Sequence, residues 1–344
     1  MCVGLAETIT TVGPGLLDNR GSLLIITTIC IYYSLTRSTT ELENISNIAL
    51  QILEQKALCQ QDPDQDEDDE PLEDQAEYDS VLISSAGDLV AALANALGTD
   101  FTQAFGTFFP LISKFYVSFG INVRLDRCAY LAVQKKNRSL SDRASAIGTL
   151  AEIISGMKSA ISPFTQALME LFYEALNDPD AEVHSNAAFA SGLLVENSDV
   201  DLAPQYLPLL TRLRPHFDVA PDAPSAKFNA RDNAAGAVAR LILRNTAAVP
   251  LEQVLPVLIG VLPLKNDYLE NRPVFRAIFH LFKSHTQAIL PFIDQLLPVF
   301  AHVLDPSSPD QLGDEVRAEL LNLLKLLNAE IPGKLQAGGL GPYL

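Results

Sequence analysis

Apolar residues recur along most of this chain at the spacing of a helix face. In PFTQALMELFYEALND, Phe164, Leu168, Leu171, Phe172, Ala175 and Leu176 fall at i, i+4, i+7, i+8, i+11 and i+12. That is the stripe of an amphipathic helix. Asn177-Asp178-Pro179-Asp180 then ends it, because proline lacks a backbone donor and Asn and Asp bond the loose amides of turns. AEVHSNAAFASGLLVEN follows as a second helix. Its small residues Ala187, Ala188, Ala190, Ser191 and Gly192 admit a close neighbour, while Val183, Phe189, Leu193 and Leu194 supply apolar area. One such hairpin cannot cover its own apolar faces, so it requires others beside it.

Similar segments occur at 141–153, 183–197, 231–245 and 274–284, and Ser185-Asn186-Ala187-Ala188 matches Asp232-Asn233-Ala234-Ala235 at a spacing of 47. Periods of about 40–47 residues with two helices per unit point to a HEAT or armadillo solenoid, read here as an all-α HEAT-repeat array of antiparallel helix pairs. The whole chain, 1–344, reads as one array of about six to seven repeats. Residues 2–13 resemble the second helix of a repeat whose first helix is missing, which marks the chain as a fragment of a longer protein.

Taken in order, SLLIITTICIYY (22–33) is apolar and β-branched but short of a bilayer span, within an atypical insertion at 17–42. A helix is predicted over Leu42–Leu58. Residues 60–77 read as an acidic disordered loop inside a repeat, carrying Asp62, Asp64, Asp66, Glu67, Asp68, Asp69, Glu70, Glu73 and Asp74. Glu77-Tyr78 is expected to open the next helix and Gly98 to close it. Helices then follow over 101–119, with Pro110 inside, and from a Ser139 or Ser141 cap to about Lys158. Later helices are expected at 204–217, 225–244, 250–264, 268–283, 289–304 and 314–328. Residues 329–344 form a tail without a further repeat.

The 344 residues carry 42 acidic against 24 basic side chains, a formal charge of −18. Phosphate binding needs clustered Lys and Arg, so this balance argues against nucleic acid as a direct ligand and favours a basic protein. Cys2, Cys30, Cys59 and Cys128 lack metal or disulfide spacing and read as reduced thiols. The five histidines have no carboxylate or Cys at metal-ligand spacing, and there is no phosphate loop, nucleophile elbow or HExxH. The chain therefore reads as a protein without enzyme activity, cofactor, metal site or membrane segment. His280 and His285, five apart, are expected on different faces of one helix.

Asn186 and Asn233 hold equivalent places in successive second helices, and Asn271 and Asn322 continue the row. A carboxamide offers donor and acceptor together, so a ladder of them suits an extended peptide backbone; the alternative is that each caps a loop or faces solvent. Among Asp142, Glu152, Glu182, Glu196, Asp232 and Glu270, some are expected to face the same groove and attract Lys or Arg, though each taken alone fits a solvated surface equally. The acidic loop either steers a basic partner or keeps the protein soluble.

GLAETITTVGPGL (4–16), the segment 52–94 with EDQAEYDS, DRASAIGTLAEI (142–153), VHSNAAFASGLLVEN and RDNAAGAVARLI (231–242) resemble the carboxy-terminal part of an importin-β superfamily receptor, a karyopherin. The resemblance spares only about residues 17–42, which read as translated intron sequence or another gene-model artefact. It implies a shuttling nuclear import receptor that binds Lys-rich nuclear localisation signals of core histones and ribosomal proteins on an acidic concave face. It further implies contacts with phenylalanine-glycine nucleoporins and release by Ran-GTP bound to amino-terminal repeats absent here, with a monomer expected. By the same resemblance Asp142, Asn233 and Glu270 lie near a lysine pocket, with Asn186 and Asn271 beside it. The alternative is a cytoplasmic HEAT-repeat scaffold on which a protein complex assembles.

Overall fold

The computed structural model describes residues 39–60, 73–116, 139–309 and 312–344. Residues 17–38 of the expected insertion and the acidic residues Asp62, Asp64, Asp66, Glu67, Asp68, Asp69 and Glu70 lie outside them, while 39–42 fall in a helix. No strand occurs among the described residues. They divide into two compact units, one reaching to Glu170 and including Asn197–Asp199, the other comprising Leu171–Glu196 and Val200–Leu344.

In the first unit, α1 (Thr39–Leu53) packs on α2 (Glu73–Leu97), α2 lies along α4 (Leu140–Met157), and α3 (Thr102–Tyr116) packs on α4. The helix expected from Glu77 begins four residues earlier. Glu73 and Asp74 therefore belong to α2 and not to the loop. Gly98 ends α2 in the left-handed region (φ 55°), which glycine enters without steric cost. Ser139 is the N-cap of α4, its Oγ accepting from the Asp142 amide at 3.0 Å. The aromatic stripe of α3 is interior: Phe105, Phe108 and Phe109 are buried, and Phe105 meets Phe164 edge-on at 4.7 Å between ring centroids. α3 continues through Pro110.

α5 (Thr165–Ala175) leads into the second unit, which holds α6 (Ala181–Asn197), α7 (Ala203–Leu213), α8 (Ser225–Asn245), α9 (Leu251–Gly260) and α10 (Asn271–Ser284). A short α11 (Thr286–Ile289), α12 (Ile293–Leu304), α13 (Asp314–Glu330) and α14 (Pro332–Ala337) complete it. α8, α10 and α13 stack in one layer, while α9 and α12 stack in the other. This is the two-layer, all-α HEAT arrangement of helix pairs that the repeat spacing demands. Small residues set the close approach of α6 to α8, where a Cβ placed on Gly192 would come within 2.9 Å of the Ala237 Cα. The tail read as lacking further repeat carries the short α14, closed by Leu335 and Leu340, both fully buried.

Two stretches, Glu77–Tyr116 and Thr286–Leu304, are long and apolar enough to cross a bilayer by length and composition. Each is broken by a 3-10 turn, at Gly98–Phe101 and Leu290–Phe292, and each supplies buried residues to its own unit's core.

Candidate functional site

The polar residues of α8 build a cleft in the second unit. Asp232 is fully buried and holds the loop after α9 from beneath. Its Oδ2 accepts from the main-chain amides of Lys265 (2.8 Å), Asn266 (2.7 Å) and Asp267 (3.2 Å). Its Oδ1 accepts from the buried Arg231 guanidinium at 3.1 Å. Three amides and a guanidinium satisfy the carboxylate without solvent, so the loop is fixed at the place where Asn266 and Asp267 emerge.

The next residue, Asn233, is 6 % exposed and donates from Nδ2 to Ser185 Oγ on α6 at 2.8 Å. Its Oδ1 is buried with no hydrogen-bond partner in the protein. Asn233, Ser185, Asn186 and Glu182 of α6, Asn229 of α8 and the loop residues Asn266 and Asp267 line one cleft of about 480 Å³. Asn266 also reaches Ser225 at the start of α8. The lining is thus a set of carboxamides, a hydroxyl and two carboxylates, which together accept hydrogen bonds from a cationic or peptide-like group and carry negative charge for it.

The structure brings Asn186, Asn233 and the expected acid Glu182 together, and Glu270, Asn271, Asn322 and Asp142 do not line this cleft. Glu270, expected in the groove, is 2 % exposed and forms a bidentate pair with Arg240, Nη1–Oε2 at 2.5 Å and Nη2–Oε1 at 3.1 Å. Arg240 also donates from Nε to Glu196 at 3.0 Å and lies over the Phe189 ring. Burial pushes the Glu270 carboxyl up, and the adjoining guanidinium opposes that shift. The node is closed from below by Gly236, where any Cβ would fall onto the Glu270 carboxylate. Asn271 is 2 % exposed and neither end of its carboxamide has a partner in the protein. Asn322 lies exposed on α13. Asp142 belongs to the first unit, where Ser80 Oγ donates to its Oδ1 at 2.7 Å.

Asn229 and Asp267 were not legible as site residues. Asn229 is four residues before Asn233, the one available signal that both share a face. Asp267 reads in the sequence only as part of a turn. The same unit holds an apolar groove of about 260 Å³ between α7 and α9, lined by Leu207, Leu210, Phe217, Val254 and Val257 among others. No group of three or more His, Cys, Asp or Glu that could hold a metal occurs among the described residues.

No family model matches the chain. It is 38 % identical over 289 residues to the probable importin subunit beta-4 of Schizosaccharomyces pombe, covering 82 % of this chain and 25 % of that protein. It is 30 % identical over 298 residues to importin-4 of Homo sapiens, covering 86 % of this chain and 25 % of the relative. A chain of a solved Kap95p–RanGDP structure aligns with 99 % of this chain and 47 % of its own length, at 13 % identity and a TM-score of 0.49. The chain spans about a quarter of the length of the curated relatives it matches, and across more than four-fifths of its own residues it belongs to the importin-β family that includes importin-4 and importin subunit beta-4.

Proposed function

We propose that this chain is part of a nuclear import receptor and that the carboxamide cleft between α6 and α8 receives a Lys-bearing segment of a basic cargo. The observation that carries the reading is the buried, unpartnered Oδ1 of Asn233, a residue that lines a cleft shared with Glu182 and Asp267. An ammonium group brings N–H donors to that acceptor and a charge to the two carboxylates. Core histones and ribosomal proteins are the cargo class that fits a surface of this sign. The relatives named importins support the transport role. The α7–α9 groove is of a size to take one aromatic side chain, which suits the phenylalanine of a nucleoporin repeat. In the whole receptor, Ran carrying GTP would displace cargo in the nucleus through repeats outside this chain.

A fluorescent Lys-rich peptide titrated into the protein at two salt concentrations, beside the same peptide with Ala for Lys, tests the reading. Binding that needs the lysines, weakens with salt and falls with Asn233→Ala supports it. Equal binding of both peptides, or none by folded protein at low salt, moves the function to a scaffold that holds a folded partner.

A further inference from the structure

The geometry points to Gly192, which lies outside the carboxamide cleft, as the positioning residue that sets the cleft's width; the inference rests on the cargo reading above. Two walls of the cleft are α6, through Glu182, Ser185 and Asn186, and α8, through Ala226, Asn229 and Asn233. Both helices run away from it in the same direction, and three contacts join them in succession. The first is the bond from Asn233 Nδ2 to Ser185 Oγ at the cleft, 2.8 Å. The second is the bare contact of Gly192 with Ala237: a Cβ on Gly192 would lie 2.9 Å from the Ala237 Cα and 3.2 Å from both the Ala237 Cβ and the Arg240 Cδ. The third is the pair of Arg240 Nε with Glu196, 3.0 Å.

These contacts make a lever. At a rise of about 1.5 Å per residue, Gly192 stands about 6 Å along α6 from Glu196 and about 10 Å from Ser185, and Glu182 is about 21 Å from Glu196. The Ala237 Cα belongs to the main chain and cannot swing aside as a long side chain would. A side chain at 192 therefore acts as a wedge between the helices, and one of the two flanking ties must yield. Arg240 is held by charge on two sides, by Glu196 and by the buried Glu270, whereas Asn233 and Ser185 are joined through neutral groups. Charge-assisted bonds are roughly twice as strong as neutral ones, so the neutral bond gives and the helices open at the cleft. Glu196 is then the pivot, and the displacement grows roughly threefold between Gly192 and Glu182.

Gly236 supplies the contrast. A Cβ there would fall onto the Glu270 carboxylate, which belongs to the start of α10 and not to the contact between α6 and α8. Crowding at Gly236 loosens the ion-pair node and leaves the meeting of the cleft walls at Gly192 untouched.

Fluorescence titration of the Lys-rich peptide into the 344-residue protein tests the inference, with Gly192→Ala, Ala237→Ser, Gly236→Ala and Gly192→Ala/Glu196→Ala beside the parent. Each variant is first shown to keep the parent's helical circular dichroism, and Ala237→Ser, a smaller push from the α8 side, decides by the same criteria where Gly192→Ala does not fold. Affinity should fall about three- to tenfold in Gly192→Ala, the worth of one neutral hydrogen bond, and less in Ala237→Ser. It should stay unchanged in Gly236→Ala, although the urea midpoint drops. Affinity should rise again in Gly192→Ala/Glu196→Ala, because releasing the far tie lets the wedge open the other end of the helix pair. Recovery of binding on a second destabilising change is a result that general loss of structure does not produce. Unchanged affinity in the folded wedge variant, equal losses in Gly192→Ala and Gly236→Ala, or no recovery in the double variant overturns the inference, and lysine-dependent binding by the parent then still upholds the cargo reading. Parent binding that ignores the lysines overturns both.

Discussion

Two polar regions meet on α8 and differ in one respect. Around Arg240 and Glu270 every charge is answered within the chain: a bidentate pair, a third bond to Glu196 and an aromatic face. Around Asn233 the bonding stops short, with one end of the carboxamide fixed to Ser185 and the other buried and unanswered beside Glu182 and Asp267. The first arrangement is what a structural node requires, because a buried charge without a partner is costly. The second retains acceptors that only an incoming group can use. Composition does not separate them, since both are built from carboxylates and donors; satisfaction does.

The contrast is sharpest at Glu270. Glu270→Ala strands the Arg240 guanidinium in the interior and should lower unfolding free energy by about 3–5 kcal/mol, measured as a fall in the urea midpoint. Gly236→Ala should act in the same direction, since its Cβ needs the space of the carboxylate. Neither should alter peptide affinity where the protein remains folded; a selective loss of affinity with stability intact would return Glu270 to the binding surface.

Acid should strain His216 next, its ring centroid 4.6 Å from that of His184. Burial, with neighbouring His184 adding to it, holds His216 down to about 4 against an ordinary value near 6.5. The unfolded chain therefore takes up the proton first. Stability from neutral His216 is fully present above about pH 6.5 and is lost as pH falls towards 4, on the order of 3 kcal/mol in all. His216→Gln should flatten that part of a stability-versus-pH curve, and an unchanged curve would show that other groups set the acid response.

Asp232 underlies the open region, since the same buried carboxylate holds both Arg231 and the loop that carries Asn266 and Asp267. Asp232→Asn removes the charge from these bonds and should cost about 1.5–3 kcal/mol of stability while also weakening peptide binding. Asn233→Ala should leave stability within about 1 kcal/mol and reduce peptide affinity by about 1–2 kcal/mol, read by fluorescence titration. The smallest effect is expected from Asp267→Lys at the rim, which should lower the association rate and flatten its salt dependence in stopped-flow measurements.

Much of the fold was readable because helix signals are local. The i, i+4, i+7 stripe of residues 164–176, the Asn-Asp-Pro-Asp break and the Ser139 cap each act within a few residues, and the observed helices start and stop near them. Boundaries slipped where another physical effect intervened. α2 starts at Glu73, inside the presumed loop. At the end of α10, His285 leaves helical geometry (φ −137°, ψ 45°), which brings it within 6.0 Å of His280, although five residues of continuous helix would have set them apart.

The sequence by itself determined the helices, their pairing into a repeat of about 40–47 residues, the small residues that admit close neighbours and the acidic balance that favours a basic partner. It also placed Asn186 and Asn233 in one row. Tertiary structure alone decided which polar groups are closed and which are open. Glu270 finds Arg240 across 30 residues, Asn233 finds Ser185 across 48, and His184 meets His216 across 32. These partners belong to different repeats. The packing of one helix pair against the next therefore selects them, and no local periodicity records that choice.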